Sequence, residues 1–174
     1  MCRGTWVAMV AGAFLVPGIT AGQEVHCGSH EKIATTPTVT AHSSSGLLRL
    51  RPEEKVALAF MASIASIEFW CVQQEQHPCT LDQMTSRNKT AAGSPVGCLK
   101  YDPADDANYS FSVTIKDESW DARASAKTKG LMSFHFHSSG NPYSPETFYK
   151  PPGVVGPIEK ELGYDVTGES FELP

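Results

Sequence analysis

One stretch constrains the fold more than any other: a long apolar segment that runs from residue 51 to residue 71. Its apolar residues recur at intervals of three and four, which places them on one face of an α-helix. These residues are Val56, Phe60, Ile64, Ile67 and Cys71. Pro52 suits the first helical position, because its missing N–H would be unpaired there in any case. The pair His77-Pro78 would end the helix, because the residue before a proline avoids helical backbone.

The apolar surface of this predicted helix is wider than a single stripe, because Leu58, Met61 and Trp70 extend it. Such a surface exceeds what a few short strands can cover. We therefore expect the C-terminal segment or another protein subunit to cover the remainder. The predicted interaction face consists of Val56, Phe60, Ile64, Ile67 and Trp70.

Three segments that follow the helix alternate apolar and polar residues, as half-buried strands do. They cover residues 109–116, 120–127 and 132–137, and short turns separate them. In the second segment the inward face carries the small residues Ala122 and Ala124. Because small side chains let a helix approach a sheet closely, this pattern predicts a three-stranded antiparallel meander covered by the helix.

The flanking segments have a different composition. Residues 23–50 are rich in Ser and Thr and predict a linker, and residues 142–174 are rich in Pro and acidic residues and predict an irregular tail. The 174-residue chain can form one domain with a modest core. We therefore predict an α+β domain over residues 51–141, with one long N-terminal helix packed on a small antiparallel meander.

The first residues have the pattern of a secretory signal peptide. Arg3 precedes a short apolar run, and the small residues Thr20, Ala21 and Gly22 follow it. The run is shorter than the roughly 20 residues that a membrane-spanning helix needs. We therefore predict removal of residues 1–22, export to the periplasm or the extracellular space, and no stable membrane span in the mature protein.

Export changes how the cysteines are interpreted, because an oxidising compartment favours disulfides. Four cysteines remain after residue 22, and three pairings of them are open. Cys71 with Cys79 would close a short loop at the end of the helix, and Cys27 with Cys98 would then attach the N-terminal segment to the domain. A structural zinc site is the rival interpretation, but no pair has the C-x-x-C spacing that such sites favour.

The charge balance and the motifs bear on function. The net charge of −5 provides no basic patch for nucleic acid. The sequence has no Gly-x-Ser-x-Gly nucleophile motif and no phosphate-binding Gly loop after a strand. We therefore expect no catalytic residues, no cofactor and no enzymatic activity.

His135 and His137 stand two residues apart in the third predicted strand, so both side chains project from one face. Two imidazoles form half of a Zn or Cu site, and Asp121 or Asp117 could supply a third ligand from the neighbouring hairpin. The alternative interpretation is an ordinary solvent-facing strand surface.

The order of a long helix, a loop and an antiparallel meander resembles the type IV pilins and pseudopilins of bacteria over roughly residues 50–141. The segments that carry the resemblance are Glu53-Lys-Val-Ala-Leu, Ile67-Glu-Phe-Trp, Thr80-Leu-Asp-Gln-Met, Tyr109-Ser-Phe-Ser-Val-Thr-Ile, Ala122-Arg-Ala-Ser-Ala-Lys and Gly130-Leu-Met-Ser-Phe. A linker separates the apolar N-terminus from the helix, so the resemblance implies a soluble pilin-like head domain. It further implies a non-enzymatic structural or interaction protein that binds a protein partner or itself. The alternative function is an exported metal- or small-ligand-binding protein that uses His135 and His137.

Overall fold

A computed structural model of the chain describes residues 38–85, 99, 106–139, 141 and 143–167. Within these residues, two antiparallel sheets and a long helix form an α+β fold, which confirms the predicted fold class. In chain order the elements are β1 (Thr38–Ser43), β2 (Gly46–Leu48), α1 (Pro52–Glu75), α2 (Leu81–Met84), β3 (Tyr109–Lys116), β4 (Ser119–Ala126), β5 (Ser133–His137), β6 (Glu146–Lys150), β7 (Lys160–Glu161) and β8 (Gly163–Thr167).

Helix α1 begins where the sequence predicts, with Pro52 in its first turn. The carboxylate of Glu54 is buried and both of its oxygens are occupied. Oε2 accepts from the Arg51 N–H at 2.7 Å, and Oε1 accepts from the Met132 N–H at 2.8 Å. Glu54 therefore caps the helix and ties its start to the chain just before β5. The helix ends at Glu75, and the backbone of the next residue, Gln76, is left-handed with φ 61°.

The larger sheet has the strand order β3-β4-β5-β6-β7, with antiparallel neighbours throughout. Strands β3 to β5 are the predicted meander, but the sheet is larger than predicted. Strands β6 and β7 come from the segment predicted to be irregular. The prolines do not prevent β6, because they lie at its ends: Pro145 directly precedes the strand and Pro151 directly follows it.

The smaller sheet has the order β2-β1-β8 and joins two segments that were predicted to be irregular. Strands β1 and β2 lie within the predicted linker, so the prediction that the helix is N-terminal is wrong. In β1, Val39 and Ala41 are buried, while Thr38 and Thr40 face solvent. Two small apolar residues are a weak alternation signal, which explains why the sequence pattern missed this strand.

Helix α1 packs against β4, β5 and β1, and its core-facing residues meet the alanines of β4. From the predicted interaction face, Phe60, Ile64 and Ile67 are buried, whereas Val56 and Trp70 are partly buried. Most of that face therefore lies in the core. Phe60 also meets Phe111 of β3 edge to face, with ring centroids 4.6 Å apart.

By length and composition alone, α1 is also apolar enough to cross a membrane. The core helix of a soluble protein meets the same criteria, and much of α1 is buried in the fold. The absence of a membrane span stays a prediction.

Cys71 and Cys79 form a disulfide that joins the end of α1 to the residue before the Thr80 cap of α2. This is the predicted short-loop pairing. Cys27 and Cys98 lie outside the described residues, as does the predicted signal peptide at residues 1–22.

Candidate metal centre

The two histidines predicted as a half-site lie on the outer face of the larger sheet. Strand alternation sends Phe134 and Phe136 into the core and directs His135 and His137 the other way. Across the β4–β5 ladder, Asp121 pairs with His137 and Arg123 pairs with His135. The strand register therefore places an acidic residue and a positively charged residue of β4 beside the two histidines.

Asp121 contacts both histidines of the cluster. Its Oδ2 lies 2.8 Å from His135 Nε2 and 3.2 Å from His137 Nδ1. The three potential ligand atoms all lie within 4.8 Å of one another. Of the two acids proposed from sequence as a third ligand, Asp121 belongs to this cluster. Asp117 instead occupies the β3–β4 turn with φ 57°.

Glu159 approaches the other ring nitrogen of His135, with Oε2 at 2.9 Å from Nδ1. This residue directly precedes β7, so the pairing of β7 with β6 delivers it to the site. His135 is the least exposed side chain of the group, at 12%. An acid on the second nitrogen of a histidine is the arrangement that fixes ring orientation in many metal sites.

Arg123 supplies a positive charge within the same cluster. Its Nε lies 3.0 Å from Asp121 Oδ1, and one terminal nitrogen lies 3.1 Å from His135 Nε2. The other terminal nitrogen lies 3.8 Å from Glu159 Oε1. The guanidinium therefore touches both carboxylates and one imidazole.

His137 has a polar atom that its surroundings leave unsatisfied. Its Nδ1 is buried and has no hydrogen-bond partner among the residues that the structure describes, although the ring as a whole is 38% exposed. The 3.2 Å separation from Asp121 Oδ2 is short enough for an ion pair, but the angles do not make a hydrogen bond. A buried donor or acceptor without a partner costs about 1–3 kcal/mol, so this atom calls for an explanation.

Electrostatics keep Asp121 ionised. Burial raises the pKa of its carboxyl, but the hydrogen bond and charge of His135, together with Arg123, outweigh burial and hold the pKa below its usual value. An ionised carboxylate is the form that binds a cation.

The donor set fits a divalent transition metal. A tetrahedral ion with bonds of roughly 2.0–2.1 Å separates its ligand atoms by about 3.3 Å. The two measured contacts of Asp121 are 2.8 and 3.2 Å, so small side-chain rotations would admit an ion. Two imidazoles and a carboxylate occur in both zinc and non-haem iron sites, and three protein ligands leave at least one position open.

A surface cleft of about 540 Å³ lies beside β6, and Asp121, His135 and His137 are not among its lining residues. Two of its lining residues, Glu146 and Phe148, are the β6 partners of His137 and His135. His42 and Gly163 line it from the smaller sheet. The cleft therefore reaches the strand next to the histidines but not the cluster itself.

Sequence reasoning did not identify Arg123 and Glu159. Arg123 had a usable signal, because it alternates with Asp121 on the polar face of its strand. Glu159 had none, because its position depends on the long-range pairing of β7.

In comparisons with known proteins, no family model, no curated protein and no solved structure matches this chain significantly.

Proposed function

We propose that this protein is an exported, non-enzymatic metal-binding protein that holds one divalent transition-metal ion at Asp121, His135 and His137. The observation that carries the proposal is His137 Nδ1, a buried nitrogen that lies 3.2 Å from the Asp121 carboxylate and has no hydrogen-bond partner in the described part of the chain. A metal ion would satisfy this atom and the Asp121 oxygen together. Export rests on the signal-like N-terminus.

Isothermal titration of the metal-free protein with Zn²⁺, and separately with Cu²⁺, tests the proposal. We expect saturable binding of one ion per chain that the double substitution His135→Ala/His137→Ala abolishes. His77→Ala is the matched control, because it removes an exposed imidazole outside the cluster. If neither ion binds saturably, or if the double variant binds as the parent does, the cluster is only an ion-pair network that anchors Glu159.

The identity of the ion can be read from spectroscopy. Co²⁺ in place of Zn²⁺ would give visible absorption bands whose intensity reports coordination number. Intense bands indicate four ligands, and weak bands indicate five or six. Fe²⁺ binding should be compared under anaerobic conditions, because the same donor set serves non-haem iron.

A second candidate function is the structural or interaction module that the pilin-like resemblance implies. One observation favours it: Phe69 and Tyr143 are 41% and 49% exposed and meet edge to face, with ring centroids 5.5 Å apart. An exposed aromatic pair is a typical anchor of protein interfaces. Because Phe60, Ile64 and Ile67 are buried, this pair replaces them as the proposed contact surface.

Sedimentation velocity over a range of protein concentrations tests self-association. We expect a concentration-dependent dimer that Phe69→Ser/Tyr143→Ser removes. Val155→Ser is the control, because Val155 is 94% exposed, more than any other large apolar residue that the structure describes. A monomer at all concentrations would contradict self-association through this pair.

A further inference from the structure

Arg123 occupies the coordination side of His135. Its terminal nitrogen lies 3.1 Å from Nε2, the ring atom that the proposed metal would need. The same guanidinium lies 3.0 Å from Asp121 and 3.8 Å from Glu159. The side chain reaches this place from solvent and remains 49% exposed.

Hydrogen-bond chemistry defines what the guanidinium does there. An arginine nitrogen only donates, so a hydrogen bond from Arg123 requires Nε2 of His135 to offer its lone pair. An ionised carboxylate only accepts, so Glu159 requires a proton on Nδ1. The contact of Asp121 Oδ2 with Nε2 at 2.8 Å requires the opposite, a proton on Nε2, because this carboxylate also only accepts.

Arg123 and Asp121 therefore compete for the same ring atom. Nε2 cannot accept from Arg123 and donate to Asp121 at the same time, whereas a metal ion would bind Nε2 and the Asp121 oxygen together. Arg123 brings one positive charge to this place, and a divalent ion there would bring two.

We propose that Arg123 is a resident cation that the metal ion must displace from His135 Nε2, and that it thereby sets the affinity and selectivity of the site. This inference rests on the proposed metal-binding function. When metal binds, the half-exposed Arg123 side chain moves into solvent and the Asp121 carboxylate exchanges its contact with the guanidinium for a bond to the ion. Glu159 stays on Nδ1 and holds the ring in place.

Selectivity follows from the same competition. Zn²⁺ and Cu²⁺ gain strongly from imidazole nitrogen, whereas Ca²⁺ and Mg²⁺ bind almost entirely through oxygen. Only an ion that binds Nε2 well would offset the loss of the Arg123 contacts. The guanidinium therefore excludes the hard cations that the carboxylates alone would attract.

Zn²⁺ affinity of the full chain and of three variants tests this role. Arg123→Gln keeps a hydrogen-bonding group but removes the charge, and we expect it to bind Zn²⁺ about tenfold more tightly, as a charge repulsion at a half-exposed site would give. Arg123→Lys retains the charge and should stay within about threefold of the parent. Lys150→Gln is the control, because it removes one charge from the same sheet face outside the cluster, and its affinity should not change.

Calcium provides a second readout. We expect Arg123→Gln to gain Ca²⁺ binding that the parent protein and Lys150→Gln lack. If Arg123→Gln binds Zn²⁺ no more tightly, or more weakly, Arg123 is a positioning residue for Asp121 and the inference is overturned. If no protein of the series binds Zn²⁺ or Cu²⁺, the metal-binding function itself fails. Thermal unfolding of each variant verifies that all are folded.

Discussion

Glu68 is a carboxyl group buried within the apolar surface of α1. It is fully inaccessible to solvent, and the Cys79 N–H donates to its Oε2 at 2.9 Å. Its Oε1 has no hydrogen-bond partner in the part of the chain that the structure describes. Burial raises the pKa of Glu68 from 4.5 to about 7, and the Cys79 N–H offsets only part of that rise.

This carboxyl makes folding stability depend on pH. Because its pKa is higher in the folded than in the unfolded protein, the folded state holds more protons between pH 4.5 and 7, and stability falls as pH rises through that window. Glu68→Gln stays neutral and keeps an acceptor for the Cys79 N–H. At pH 8 we expect it to raise the free energy of unfolding by on the order of 3 kcal/mol, with little change below pH 5.

Urea denaturation at pH 5 and pH 8 measures this difference. Glu75→Gln is the control, because Glu75 is an exposed acid near the end of the same helix. If the free energy of unfolding changes equally with pH in the parent and in Glu68→Gln, folding does not raise the pKa of Glu68.

At the scale of elements, the contact between α1 and β4 depends on small side chains. Ala122 and Ala124 are fully buried in the same core cluster as the helix residues. Protein interiors are close-packed, so a core such as this one has no space for added methylene groups. The alternation of β4 leaves Ser125 exposed on the opposite face.

Ala124→Leu should therefore force the helix and the sheet apart. We expect a loss of about 1–3 kcal/mol in the free energy of unfolding, which is typical of overpacked cores. Ser125→Leu adds the same side chain to the exposed face and should change stability by less than about 0.5 kcal/mol. Guanidinium denaturation of both variants makes the comparison. Similar losses of stability in the two variants would mean that the alanine face of β4 does not pack against the helix.

The disulfides act on the molecule as a whole. Cys71 and Cys79 are eight positions apart, and cross-links that close loops of this size contribute about 2–3 kcal/mol in the chain-entropy description. Cys71→Ala/Cys79→Ala should lower the free energy of unfolding by that amount, as measured by urea denaturation without reductant. An unchanged midpoint would show that the covalent link adds nothing to the packing around it.

Mass spectrometry of the exported protein tests the predicted second pair, Cys27 with Cys98. Alkylation without reductant should label no cysteine of the mature chain, and alkylation after reduction should label four. Labelling of two cysteines before reduction would leave Cys71–Cys79 as the single disulfide. Signal cleavage is read from the same spectra, because the mature mass should lack residues 1–22.

The sequence by itself determined the parts of this protein that depend on local patterns. Periodicity predicted α1, alternation predicted β3 to β5, and the spacing of two histidines predicted that His135 and His137 project from one face of a strand. The short loop between Cys71 and Cys79 likewise made their pairing predictable. Each of these features depends on residues a few positions apart, so the sequence contains the whole signal.

Only the tertiary structure decided which distant segments meet. Thr38 pairs with Thr167 across 129 positions, and this pairing converts a predicted linker and a predicted tail into one sheet. The β6–β7 pairing brings Glu159 to His135, and the β4–β5 register selects Asp121 and adds Arg123. The physical reason is that strand pairing satisfies the backbone N–H and C=O groups of segments that are far apart in the sequence. No local pattern of residues specifies which of those segments pair. Which residues of other strands meet the two histidines is therefore a property of strand register, and the spacing of residues along the chain does not encode it.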